Sequence, residues 1–292
     1  MEPEQIKLEI ERCFVKALSL YPEKPLQWKL HPVRVVQAAK SIVGMDLESP
    51  SKRLMDWLGN YCDSLDQQQM QMPEKKQVAH LALEDLKTSL MQKDRDASMK
   101  FLSDILAYSD GRHILEFLLE ISLMQRGEST LFVWSAIRMN LFLSKKFTDR
   151  LLLLCGASIL ACDLYDPIRC KDNGDSTFVG RSWRSFEEGI ILDEIGKENL
   201  VRESSIKMNM DIFVNSCMPM EKTKLDRSSS KMWNHVSDER RWISSFIESD
   251  CDLNPQNILL LDAARALHKN NPDIDKDQLL LHLDRSMVEA AC

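Results

Sequence analysis

An all-α fold is what this sequence predicts, and three features predict it. Apolar residues recur at three- and four-residue spacing along most of the chain. Only 9 glycines and 10 prolines interrupt 292 residues that are otherwise rich in Leu, Met, Lys and Glu, all good helix formers. No convincing alternation of apolar and polar residues marks a strand. The pattern is strongest between Asp110 and Asp163, where three apolar helical segments follow one another with almost no connecting residues.

Taken in order, Pro3 stands where a first helical turn begins, and Ile6, Ile10, Phe14, Ala17 and Leu18 mark one face before Tyr21-Pro22 ends the helix. A loop carrying Trp28 leads to Val33, Val36, Ala39, Lys40, Ile42 and Val43, stopped by Gly44. Ser49 as cap with Pro50 in the first turn opens a third helix through Leu54, Trp57, Leu58, Tyr61 and Leu65. After the polar connector 67–71, Pro73 starts a fourth with Val78, Leu81, Leu86 and Leu90. Ala97, Phe101, Leu102, Ile105 and Leu106 mark a fifth.

Asp110 then caps a stripe of Ile114, Leu115, Phe117, Leu118, Ile121 and Leu123. The next segment, Leu131 to Leu143, is apolar around most of its circumference and so must be covered on nearly all sides. Leu151 to Cys162 is similar. That uncharged run is well short of the ~20 residues that span a bilayer, and charged residues precede it, so it reads as a buried helix. A break follows at Asp166 to Ser182, with Pro167, Asp172-Asn173-Gly174-Asp175 and Gly180. Helical spacing resumes with Phe186, Ile190, Ile191 and Ile195, and then with Leu200, Ile206, Met210, Ile212 and Phe213. A polar interruption at 221–231 precedes helices over 232–247, 255–268 and 276–290.

Helix starts near 3, 33, 50, 74, 95, 111, 128 and 147 place every second start ~33 to 47 residues apart, an interval that resembles the helix pairs of HEAT and armadillo proteins. The resemblance is one of length, without a repeated residue pattern. It implies an irregular α-solenoid of about twelve helices, with a compact multi-helix bundle as the other arrangement of the same elements. Residues 1–165 form an N-terminal repeat-like region, 166–182 a loop, and 183–292 a C-terminal helical region packed on the first, in one continuous domain.

Composition bounds the function. Hydrophobic content of 44% with 28% charge is that of a globular chain with a sizeable core. A net charge of -7 and a pI near 5.5 argue against nucleic acid as the main ligand, which needs a surplus of Lys and Arg on one face. Arg34, Lys40, Lys52 and Arg53 are the stripe a nucleic-acid-associated subunit would use. The 8 cysteines include no CxxC pair, and the acidic start Met1-Glu2-Pro3-Glu4 lacks the make-up of a signal peptide. Reduced thiols in an intracellular protein, cytoplasmic or nuclear and not in a membrane, are the expectation.

Candidate chemistry is sparse. His113 shares a helix side with Asp110, Glu116 and Glu120, but no histidine has a Glu three residues before it, as bundle metal sites require. Asp273, Asp275, Asp277 and Asp284 echo a calcium loop in which Gln278 replaces the required glycine. Asp163, Asp166, Asp172 and Asp175 resemble half of a magnesium-diphosphate site without a second cluster. Cys155, Cys162 and Cys170 lack the tight pairing zinc prefers. No Walker, dinucleotide, nucleophile-elbow or zincin motif occurs. Ile190-Ile191-Leu192-Asp193-Glu194 suits either an amphipathic helix or a strand added to a partner's sheet edge.

No catalytic, cofactor or metal residue is therefore assigned, and no cofactor is expected. Phe132, Trp134, Arg138 and Met139 are the interaction candidates, because interface anchors favour Trp and Arg, with plain core as the rival reading. Ser49, in a Ser-Pro-x-Lys sequence, and Ser228 and Ser229 are modification candidates. The expected role is a non-enzymatic scaffold or adaptor subunit of a larger intracellular complex, meeting other proteins through an apolar helical surface, as an obligate heteromer in one version. The alternatives are an all-helical enzyme with a site assembled from isolated acidic and His residues, or a helical nucleic-acid-associated subunit.

Overall fold

The structure is a computed structural model and describes residues 2–22, 25–66, 83–106, 108, 111–124, 128–162, 182–202, 232, 235, 242–270, 283 and 287. Every regular element among them is a helix: α1 (Pro3–Ala17), α2 (Pro25–Lys29), α3 (Pro32–Val43), α4 (Lys52–Asp63), α5 (Leu83–Met91), α6 (Arg95–Leu106), α7 (Arg112–Leu123), α8 (Glu128–Phe142), α9 (Thr148–Ala161), α10 (Ser182–Glu198), α11 (Trp242–Ser249) and α12 (Pro255–Asn270). The all-α expectation holds.

Two helix starts differ from the sequence reading. The cap of α4 is Ser51, whose Oγ accepts from the Leu54 N–H at 3.1 Å, two residues beyond Ser49. Ser49 instead donates its backbone N–H to Asp46 Oδ1, so Ser49-Pro50 belongs to the approach to the helix. The residue entering α7 is Gly111, left-handed at φ 75° and making no side-chain cap hydrogen bond, while Asp110 lies outside the described residues. A Cβ at Gly111 would lie 2.5 Å from Thr148 Cγ2, so glycine is what lets this turn pass close over α9. The helix expected over 232–247 is described as α11 from Trp242, and the helix start at Pro73 lies outside the described residues.

The apolar middle is enclosed as its composition requires. Leu118, Leu119, Phe132, Val133 and all of Leu151–Leu154 are fully buried. α8 is covered by α2, α3, α7, α9 and α10, and α9 by α2, α5, α6, α7 and α8. α6 and α9 cross closely at Gly156, where a Cβ would stand 2.3 Å from Leu102 Cδ1. Lys93, left-handed at φ 60° just after α5, donates its ammonium to the Ile159 and Cys162 carbonyls, meeting the negative end of the α9 dipole.

α3 is the hub of the molecule, because α1, α4, α8, α11 and α12 all pack on it. Its partner α12 comes from the far end of the chain, and the main core cluster among the described residues includes residues from Ile6 to Leu283. In a repeat stack each unit touches only its neighbours. Packing α12 on α3 is the closure a compact bundle makes. α11 joins end to end with α4: Arg53 donates to the Ile247 and Cys251 carbonyls at 2.6 and 2.9 Å, and Glu248 accepts from Ser51 Oγ. No helix among the described residues is long and apolar enough to cross a membrane.

Candidate functional site

Among the described residues, a concentration of ionisable side chains lies buried where α3, α8, α10 and α12 meet, and the start of α3 sets it up. His31 caps that helix: its Nδ1 accepts from the Val33 N–H at 3.1 Å, and its Nε2 faces the Leu20 carbonyl at 3.3 Å. The ring stacks on Trp28 with centroids 5.2 Å apart and meets the Phe132 ring edge-on. Burial pushes its pKa down to about 3, so His31 is neutral at any ordinary pH.

From this anchored turn Arg34, Gln37 and Ser41 run along one side of α3, while Val33, Val35, Val36, Ala38 and Ala39 fill the rest. α8 contributes Trp134 and Arg138, α10 Glu187 and Glu194, and α12 Asp262 and Arg265, each pair separated by about one or two turns. The Arg34 guanidinium pairs with Glu187 and also donates to the Lys29 carbonyl. The two side chains are 1% and 3% exposed. Burial pulls the guanidinium down and the Glu187 carboxyl up, and the opposite charge of each partner works against that shift.

The remaining groups form a chain. Glu194 Oε2 accepts from Trp134 Nε1 at 3.1 Å and from Arg138 Nη1 at 3.3 Å. Arg138 Nη2 donates to Ser41 Oγ at 3.1 Å, and Gln37 Nε2 donates to the same hydroxyl and to Asp262 Oδ2. Arg265 Nε donates to Asp262 Oδ1 at 2.6 Å. At the rim, burial and the neighbouring Arg138 lower the Lys40 pKa to about 8, and its ammonium lies 5.2 Å over the Phe142 ring. A narrow cleft runs between these side chains. Its carboxylates are engaged with guanidinium, indole and amide donors, so the array works as a clamp of paired charges across four helices.

No family model, curated protein or solved structure matches this chain.

Of the interaction candidates, Phe132 and Met139 are fully buried, Trp134 is 4% exposed with its N–H on Glu194, and Arg138 belongs to the clamp. In this arrangement the four side chains face α10 and the core. His113 is exposed, with Nδ1 3.4 Å from Glu116 Oε2, and Glu120 pairs with Arg202. Asp110, Asp163, Asp166, Asp172, Asp175, Cys170, Ser228, Ser229, Asp273, Asp275, Asp277 and Asp284 lie outside the described residues. Cys155 and Cys162 are buried, and among the described residues no group of His, Cys, Asp and Glu is placed to hold a metal ion. Arg34 on Glu187, Arg53 on the end of α11 and Lys40 on Phe142 do not form an outward basic stripe. Ser49 is exposed, and Ile190 to Glu194 is helical within α10.

Sequence reasoning missed the clamp. The available signal was a lone arginine among valines and alanines at 33–39. It also missed a hydrogen-bonded chain at the end of α11, where Ser245 Oγ lies 3.0 Å from His235 Nδ1 and Asp250 Oδ2 2.7 Å from His235 Nε2. Nothing in the spacing of those three residues marks it.

Proposed function

We propose that this protein is a non-enzymatic scaffold or adaptor subunit of an intracellular complex, and that α1 is a face it turns to a partner protein. One observation carries the reading. Ile6, Ile10, Cys13, Phe14 and Ala17 bury one side of α1, yet Leu8 and Val15, two turns apart on the opposite side, are 65% and 39% exposed. Covering a leucine is worth roughly 1.5–3 kcal/mol. The outward stripe also carries Glu4, which suits a partner surface with an apolar seam beside a cation, while Glu11 on the same stripe is paired with Lys146.

The test is quantitative affinity purification with the full chain and with the Leu8→Glu/Val15→Glu variant. Wild type is expected to retain a stoichiometric partner that the variant loses, with unchanged circular dichroism and melting because both side chains point outward. A wild-type chain that captures no stable partner ends the adaptor reading.

An all-helical enzyme is the second reading, and the Ser245, His235 and Asp250 chain favours it. With Nε2–H donated to Asp250, Nδ1 is free to take the Ser245 hydroxyl proton, the order of partners a serine nucleophile needs. A serine-directed fluorophosphonate probe that labels wild type but not Ser245→Ala supports it. Absence of labelling at Ser245 rules it out.

A further inference from the structure

Cys13 and Cys62 come from different helices and meet. α1 and α4 pack side by side, Cys13 is fully buried, and Cys62 is 1% exposed. The Cys13 S–H points at the Leu58 carbonyl 3.9 Å away, one turn before Cys62 in α4, so the two thiols share the α1–α4 seam. The residues next in sequence lock this register. Arg12 Nη1 pairs with Asp63 Oδ1 at 2.8 Å, and Lys16 holds the same carboxylate. The Arg12 and Glu9 side chains of α1 lie over Gly59, one turn before Cys62. The neighbouring Cys62 thiol holds the Cys13 thiol below its ordinary value, whereas burial alone pushes Cys155 up.

We propose that Cys13 and Cys62 are a reversible oxidative modification site, forming a disulfide that staples α1 to α4. The oxidant is a low-molecular-weight disulfide such as oxidised glutathione. The Cys13 thiolate attacks one of its sulfurs, forming a mixed disulfide and expelling one small thiolate. Cys62 then gives up its proton and attacks the Cys13 sulfur, closing the protein disulfide and expelling the second small thiolate. Two protein thiols are oxidised, the small disulfide is reduced to two thiols, and the protons released by the cysteines go to the leaving groups. Both sulfurs are shut off from solvent, so the first step runs through local opening of the α1–α4 seam and is slow.

The experiment incubates the full chain across glutathione redox buffers, blocks free thiols by alkylation and maps peptides without reduction. A peptide linked through Cys13 and Cys62 is expected under oxidising conditions and is reversed by reductant. In Cys62→Ser the same treatment is expected to leave glutathione trapped on Cys13, because the thiol that resolves the mixed disulfide is gone. The oxidised wild type should also melt at a higher temperature than the reduced one, a difference absent in Cys13→Ser. Recovery of both cysteines as free thiols in the most oxidising buffer, or their linkage to other cysteines instead, overturns the proposal. The wild-type map decides this even if a serine variant fails to fold.

Discussion

His31 does three things with one ring: it caps α3, fills the space between Trp28 and Phe132, and stays neutral to do so. Its folded pKa of about 3 lies below the unfolded value near 6.5, so below ~pH 6.5 the unfolded chain binds the extra proton. The stability this site contributes is complete above ~pH 6.5 and is lost progressively as the pH falls toward 3. Each pH unit in that window costs about 1.4 kcal/mol, which amounts to about 3 kcal/mol by ~pH 4. His31→Asn keeps an oxygen that can accept from the Val33 N–H but does not titrate there. Urea unfolding of wild type should therefore lose stability more steeply between neutral pH and ~pH 4 than that of the variant. Parallel slopes would show that His31 protonation is not what acid acts on.

Helix contacts are set by small residues as much as by large ones, and the α6–α9 crossing shows it. Alanine at 156 has the better helix propensity by about 1 kcal/mol, but its Cβ would stand 2.3 Å from a Leu102 side chain that is itself fully buried. Overpacking of this kind costs ~1–3 kcal/mol, so Gly156→Ala is expected to lower the melting temperature. In a Leu102→Ala background the same change should cost less, because the opposing methyl is gone. Strict additivity in this double-mutant cycle would mean that the crossing opens instead of clashing. At this scale the sequence was legible where periodicity is strong, as in α1, α3 and α7, and where a segment is apolar nearly all round, as in α8 and α9. Starts such as Ser51 and Gly111 were shifted because two neighbouring residues each suited a cap, and only the backbone decides between them. The α4–α11 joint and the Lys93 cap on α9 escaped notice because they depend on which helix ends meet, which no local pattern encodes.

For the molecule as a whole, the buried Arg34–Glu187 pair ties the hub α3 to α10, far along the chain. Removing one partner strands a charge in the interior and costs about 3–5 kcal/mol, whereas an apolar pair of similar volume is often neutral or better. Arg34→Met and Glu187→Leu are each expected to be strongly destabilised, and the double variant should recover much of the loss, as read by denaturant midpoints. If the double variant is no better than the worse single, the clamp is held by its hydrogen bonds to Lys29 and its neighbours and not by charge balance. The enclosure of the greasy middle was readable from composition, but this clamp was not, because its charged members look like surface residues until α3, α8, α10 and α12 are brought together. The pairing also bears on how the protein can diverge. Positions 34 and 187 lie 153 residues apart, yet a lineage that exchanges one must exchange the other nearly at once. Correlated replacement at these two sites, basic with acidic or both apolar, is the mark this ion pair should leave among orthologues.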